Sequence, residues 1–123
     1  MDETRKFDLE DRLIGFSSRI IDIVEALPNT RAGNYIAAQI IRCGLAPSLM
    51  YGEAQAAESR DDFVHKMKVL LKELKETRAC LKLIIIKEMI KPVQKLHPMQ
   101  KENEELIAIV AKSIETAKRN NKK

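Results

Sequence analysis

Residues 39–81, QIIRCGLAPSLMYGEAQAAESRDDFVHKMKVLLKELKETRACL, decide the fold. Two apolar patterns of helical period run through this stretch, and charged or polar residues are inlaid on their inward side. Gln39, Arg42 and Glu53 interrupt the first; Asp62, Lys66, Glu73 and Glu76 interrupt the second. Long charged side chains in such places are costly unless they meet partners. The stretch therefore predicts two helices folded back on one another around Ala57–Arg60. Antiparallel partners then have residue numbers summing to roughly 117, with a turn of slack. This register sets Glu53 opposite Lys66, and Arg42 opposite Glu73 or Glu76. Each pairing joins opposite charges, and its predicted role is to fix register more than to add stability.

The second pattern is the strongest helical signal in the chain. Ser59 followed by Asp62 resembles a capping box with Asp in place of Glu. Phe63, Met67, Leu70, Leu74, Thr77, Leu81 and Ile84 then keep one face at about 100° per residue. Lys68, Lys72, Lys75 and Lys82 fall on the opposite face, predicted to meet solvent. Leu83–Ile86 is apolar nearly all round, which predicts burial by more than one neighbour and hints at self-association.

Working outward, helix 2 is predicted over about 32–57, as one helix bent locally at Gly44 and Pro47, with two short helices as the alternative. Helix 1 is predicted over about 8–26, with Asp8 as N-cap and Leu9, Leu13, Phe16, Ile20, Ile23 and Leu27 as its seam. Pro28-Asn29-Thr30 supplies turn chemistry. Helix 3 spans about 59–90, Lys91–Pro98 reads as a loop, and helix 4 spans about 99–117 with Leu106, Ile107, Ile109, Val110 and Ile114 as its apolar set. A basic tail, 118–123, follows. Short connections between four such helices predict a single domain, 1–123, that is an all-α, antiparallel, up-down-up-down four-helix bundle.

Composition agrees. The 123 residues are 45% hydrophobic and 33% charged, which excludes a disordered chain and fits a charged-surface helical protein. No apolar run reaches the roughly 20 residues that span a bilayer, and the charged start Met1–Lys6 leads into no signal-peptide core. Cys43 and Cys80 lie within helical patterns and read as small buried side chains, not as a disulfide or metal pair. A reducing cytoplasm is the expected setting. Charge divides by halves: residues 1–59 carry net −3 and residues 60–123 net +7, giving the +4 of the whole. A basic second half ending in Lys118, Arg119, Lys122 and Lys123 can attract a polyanion.

Catalytic signals fail one by one. A di-metal carboxylate bundle needs paired Glu-x-x-His motifs, whereas His65 follows only Asp62 at that spacing and His97 sits in the predicted loop. Gly15, Gly33, Gly44 and Gly52 are scattered singly, so no phosphate loop forms. Two histidines on separate segments build no serine–histidine–acid triad. The sequence predicts no enzyme activity, no metal and no cofactor.

The block Gln39-Ile-Ile-Arg42-Cys-Gly-Leu-Ala-Pro47-Ser48, then Glu53-Ala54, Ser59, Asp62-Phe63, Lys66 and Glu73-x-x-Glu76-Thr77 to Leu81, resembles the bacterial S23 or intervening-sequence protein family. The resemblance covers nearly the whole chain. It departs at Ala46-Pro47-Ser48-Leu49-Met50, where many members show a Ser-Ile-Pro-Ser-Asn run. The family implies an antiparallel four-helix bundle assembled as a ring-like homopentamer, with no catalytic residues. Some members are encoded within intervening sequences of ribosomal RNA genes. A related retroelement accessory protein associates with a reverse transcriptase and nucleic acid.

Two functional expectations result. The first is a non-enzymatic oligomeric scaffold that binds RNA or another nucleic acid through Lys68, Lys72, Lys75, Lys82, Lys118, Arg119, Lys122 and Lys123. Little aromatic interleaving accompanies them, because Phe7, Phe16 and Phe63 read as core. The second is a protein–protein adaptor without a direct nucleic-acid role, docking through an apolar patch or the acidic residues Asp2, Glu3, Asp8, Glu10 and Asp11.

Overall fold

The structure, a computed structural model, describes the backbone of residues 2–121 and the side chains of residues 9–120. Four helices make up the fold: α1 (Asp2–Ala26), α2 (Arg31–Gln55), α3 (Arg60–Ile86) and α4 (His97–Asn121), with a short 3-10 turn, Val93–Leu96, before α4. α1 packs on α2, α2 on α3, α3 on α4, and α4 closes back on α1. The α2–α3 seam is the most extensive and the α1–α4 closure the thinnest. The antiparallel up-down-up-down bundle read from the sequence is therefore the observed one.

The apolar periodicity explains the core. Leu13, Phe16, Ile20 and Ile23 of α1 meet Ile40 and Cys43 of α2, Met67, Leu70, Leu74, Leu81 and Ile84 of α3, and Leu106, Val110 and Ile114 of α4. α1 and α2 approach closely because α2 carries Gly44: a Cβ there would lie 2.8 Å from Ile20 Cγ2. Beside it, Ser17 reaches Ser48 Oγ at 2.9 Å and the Gly44 carbonyl at 3.3 Å. Asn103 is buried in α4 and donates from Nδ2 to the Leu74 carbonyl at 3.2 Å, while its Oδ1 has no partner.

Helix ends depart from expectation in instructive ways. α1 begins at Asp2, so Asp8 lies inside the helix and is not its N-cap. α2 starts where Thr30 Oγ1 accepts from the Gly33 N–H, and it runs unbroken through the buried Pro47. Ser59 caps α3 as read, its hydroxyl oxygen accepting from the Asp62 N–H at 3.0 Å. α3 stops at Ile86 and not near 90. There the Glu88 N–H bonds the Ile85 carbonyl and the Met89 N–H bonds the Ile84 carbonyl, with Glu88 at φ 48°. That is a Schellman ending. It normally announces itself by a glycine in the left-handed position, and here Glu88 occupies that position, so the sequence carried no stop signal.

The predicted loop 91–98 instead contains the 3-10 turn, whose Leu96 is buried, and α4 begins at His97 with Pro98 in its first turn. Proline is at home there, because the first-turn N–H groups have no intrahelical acceptor. At its other end α4 continues to Asn121, so Lys118 and Arg119 belong to a helical last turn and not to a tail. Within the single chain the Leu83–Ile86 run is only partly covered: Ile84 is buried, but Leu83 is 50% and Ile86 72% exposed.

Candidate nucleic-acid interface

The charges inlaid in 39–81 sort into rim contacts and free cations. Arg42 spans the α2–α3 seam, donating to Glu73 Oε1 at 3.0 Å and to Glu76, with Gln39 Oε1 at 3.5 Å on its own helix. The antiparallel register predicted for these residues is therefore correct. Their depth is not, because the Arg42 side chain is 51% exposed and sits on the rim of the seam. Glu76 above all raises the Arg42 pKa, against opposing desolvation and with further support from Glu73. The predicted Glu53–Lys66 pair does not form. Lys66 Nζ lies 3.6 Å from Asp62, one turn back on α3, and Glu53 is exposed without an ion pair. A partner on the same helix requires less ordering of two long side chains than one across the seam. Glu53 and Lys66 nevertheless face each other across a shallow cleft of about 160 Å³, beside Met50, His65 and Val69.

Two cross-helix clusters were not foreseen. Arg12 of α1 binds Glu102 of α4 through both carboxylate oxygens (2.9 and 2.8 Å) and Glu105 at 2.8 Å. Arg78 of α3 meets Glu104 of α4 at 3.1 Å. Glu102 and Glu105 stand three apart and so share a face; that spacing was the available signal. The second cluster is the thiol pair. Cys43 and Cys80 are free and buried, one on each side of the α2–α3 seam, and the Cys43 thiol reaches the Ile40 carbonyl at 3.9 Å. Their mutual interaction lowers the Cys43 pKa, and with burial it raises that of Cys80. The expectation of two buried thiols holds, with the addition that they are neighbours.

The α3 lysines behave differently. Lys68, Lys72, Lys75 and Lys82 are all exposed on the outer face of α3, and none has an ion pair or hydrogen bond. From first to last they extend about 21 Å along the helix. Lys118 is exposed near the far end of α4, and Arg119 contacts Glu115 on its own helix at 3.5 Å. α4 is antiparallel to α3, so these two residues stand at the end of the bundle away from Lys82. Lys122 and Lys123 lie outside the described residues, as do the side chains of Asp2, Glu3, Phe7 and Asp8.

An apolar strip flanks the α1–α2 seam on its outer side. Ile14 and Ile21 of α1 and Ile41 and Leu49 of α2 are 39–71% exposed, on either side of the Ser17–Ser48 bond. A cleft of about 650 Å³ opens where Leu9, Tyr51, Phe63 and Ile109 meet Arg60 and Lys112. No carboxylate, imidazole or thiol lines it among the described residues. Nor do the described residues contain a group of three or more His, Cys, Asp or Glu side chains able to hold a metal. No helix among them is long and apolar enough to cross a membrane.

No protein-family model matches the chain, and no curated protein matches it. Among solved structures, it is similar to a protein of unknown function from the S23 ribosomal protein family of Bacteroides thetaiotaomicron VPI-5482. The two are 28% identical over 86% of this chain and 97% of that one, with a TM-score of 0.79. The family resemblance read from the sequence is thus met by a structural neighbour of that family, with the same helical fold over nearly its full length.

Proposed function

We propose that the chain is a non-enzymatic helical scaffold that self-associates and binds nucleic acid, RNA foremost, through basic surface. The observation that carries this reading is the unpaired lysine stripe of α3. The described seam arginines Arg12, Arg42 and Arg78 are each neutralised by glutamates, whereas Lys68, Lys72, Lys75 and Lys82 present their charge to solvent. Such a row serves phosphate contacts, and copies in an oligomer multiply it. The strip of Ile14, Ile21, Ile41 and Leu49 supports self-association, and the family resemblance implies a pentamer. The same strip favours a second reading, an adaptor that docks another protein and leaves nucleic acid alone.

Reversing the four α3 lysines to glutamate separates the two. RNA binding collapses under the first reading, while partner binding survives under the second. Native mass spectrometry of protein purified without nuclease or high salt gives the subunit count and any nuclease-sensitive mass. A bare oligomer with no affinity for RNA would move the search to protein partners.

A further inference from the structure

Tyr35 is 67% exposed, although Tyr51 and Phe16 are buried. The Arg42–Glu76 contact identifies which residues of α2 and α3 share that side of their seam. Two helical turns further along each helix, toward the end they share, lie Tyr35 on α2 and Leu83 on α3. Ile86 stands one turn beyond Leu83, and both are well exposed. Cations surround this patch: Arg31 is one turn before Tyr35, and Lys82 and Lys87 adjoin Leu83 and Ile86. All three are exposed and lack ion pairs. Acid is scarce, since residues 27–52 contain no carboxylate and residues 77–101 only Glu88. Lys82 also begins the α3 lysine stripe, which leads away from the patch along the outer face.

We propose that this end of the α2–α3 seam is a base-stacking platform for single-stranded nucleic acid. It rests on the nucleic-acid reading above and specifies the strand that reading leaves open. Tyr35 takes the face of an unpaired base, Leu83 and Ile86 cover its neighbour, and Arg31, Lys82 and Lys87 hold the adjoining phosphates. A duplex keeps its base faces stacked within itself and offers the surface mainly phosphate and sugar. The ring and the two aliphatic side chains would then gain nothing. Single strands supply both kinds of contact, a charged groove and stacking on exposed rings.

Fluorescence anisotropy with a labelled oligouridine and an RNA duplex of equal length, at several salt concentrations, tests the platform. Tyr35→Ala should weaken oligouridine binding about tenfold and leave the duplex unchanged, while Tyr35→Phe should bind as the unaltered protein does. The salt slope for oligouridine should survive Tyr35→Ala, because no phosphate contact is lost. It should fall by roughly 1.4 in Lys82→Ala/Lys87→Ala, at about 0.7 per phosphate. Equal oligouridine affinity with and without the Tyr35 ring, alongside lysine-dependent binding, would overturn the platform and leave the nucleic-acid reading standing. Failure of the unaltered protein to bind either RNA would bring down both. A changed subunit number for Tyr35→Ala in native mass spectrometry would assign the patch to contact between copies and overturn the proposal.

Discussion

The helix seams and the outer face of α3 carry charge in opposite ways. At the seams Arg12, Arg42 and Arg78 each reach glutamate on a neighbouring helix, and the first two reach a pair of them. On the outer face four lysines stand within a few turns of one another with no carboxylate in contact. The guanidinium fork suits the first task, because it holds two carboxylate oxygens in fixed geometry. An ammonium on a flexible stem suits the second. The difference separates charge that positions helices from charge left available to a partner.

The largest effect should come from the seam that admits no side chain. Gly44→Val pushes atoms into Ile20, and such overpacking costs roughly 1–3 kcal/mol; a urea melt showing no shift would mean that α1 and α2 can separate freely. Next comes Arg12→Ala, which removes a part-buried, two-oxygen contact from the thinnest seam. A loss of about 1–2 kcal/mol is expected, and a double-mutant cycle with Glu102→Ala should show non-additivity. Glu88→Gly should act in the other direction. It relieves a left-handed backbone position at the α3 ending, so thermal unfolding should move up by an amount worth about 0.5–1 kcal/mol. Smallest is the quadruple reversal of Lys68, Lys72, Lys75 and Lys82 to glutamate. The lysines have no ion pairs to lose, and the row remains like-charged after reversal. Stability should stay within about 0.5 kcal/mol; a large loss would make the stripe a structural element and erase its contrast with the seams.

Most of the architecture was legible in the chain. Periodic apolar residues such as Leu70, Leu74 and Leu81 located the core, and Arg42 with Glu73 and Glu76 gave the α2–α3 register. What the sequence concealed was local. Lys66 had two carboxylates within reach, and spacing alone did not tell that Asp62 would prevail over Glu53. The α3 ending has glutamate where glycine usually marks it. Leu83 and Ile86 belong to the apolar run that predicts burial, yet both stay exposed within the single chain. The exposed Tyr35 escaped notice because a single tyrosine has no period. Its significance depends on what the opposite helix brings beside it.

Asn103 gives the bundle a way to reject a misaligned fit. The apolar faces of α3 and α4 repeat at nearly equal intervals, so a slip of one helix past the other would still match hydrophobic side chains. The amide breaks that equivalence. In the observed alignment its Nδ2 finds the Leu74 carbonyl, and one oxygen is left unbonded. In a slipped alignment the donor would also face hydrocarbon, with a penalty of about 1–3 kcal/mol for the lost partner. Replacing it with leucine could raise the melting temperature while narrowing the energy gap between the native bundle and its slipped alternatives.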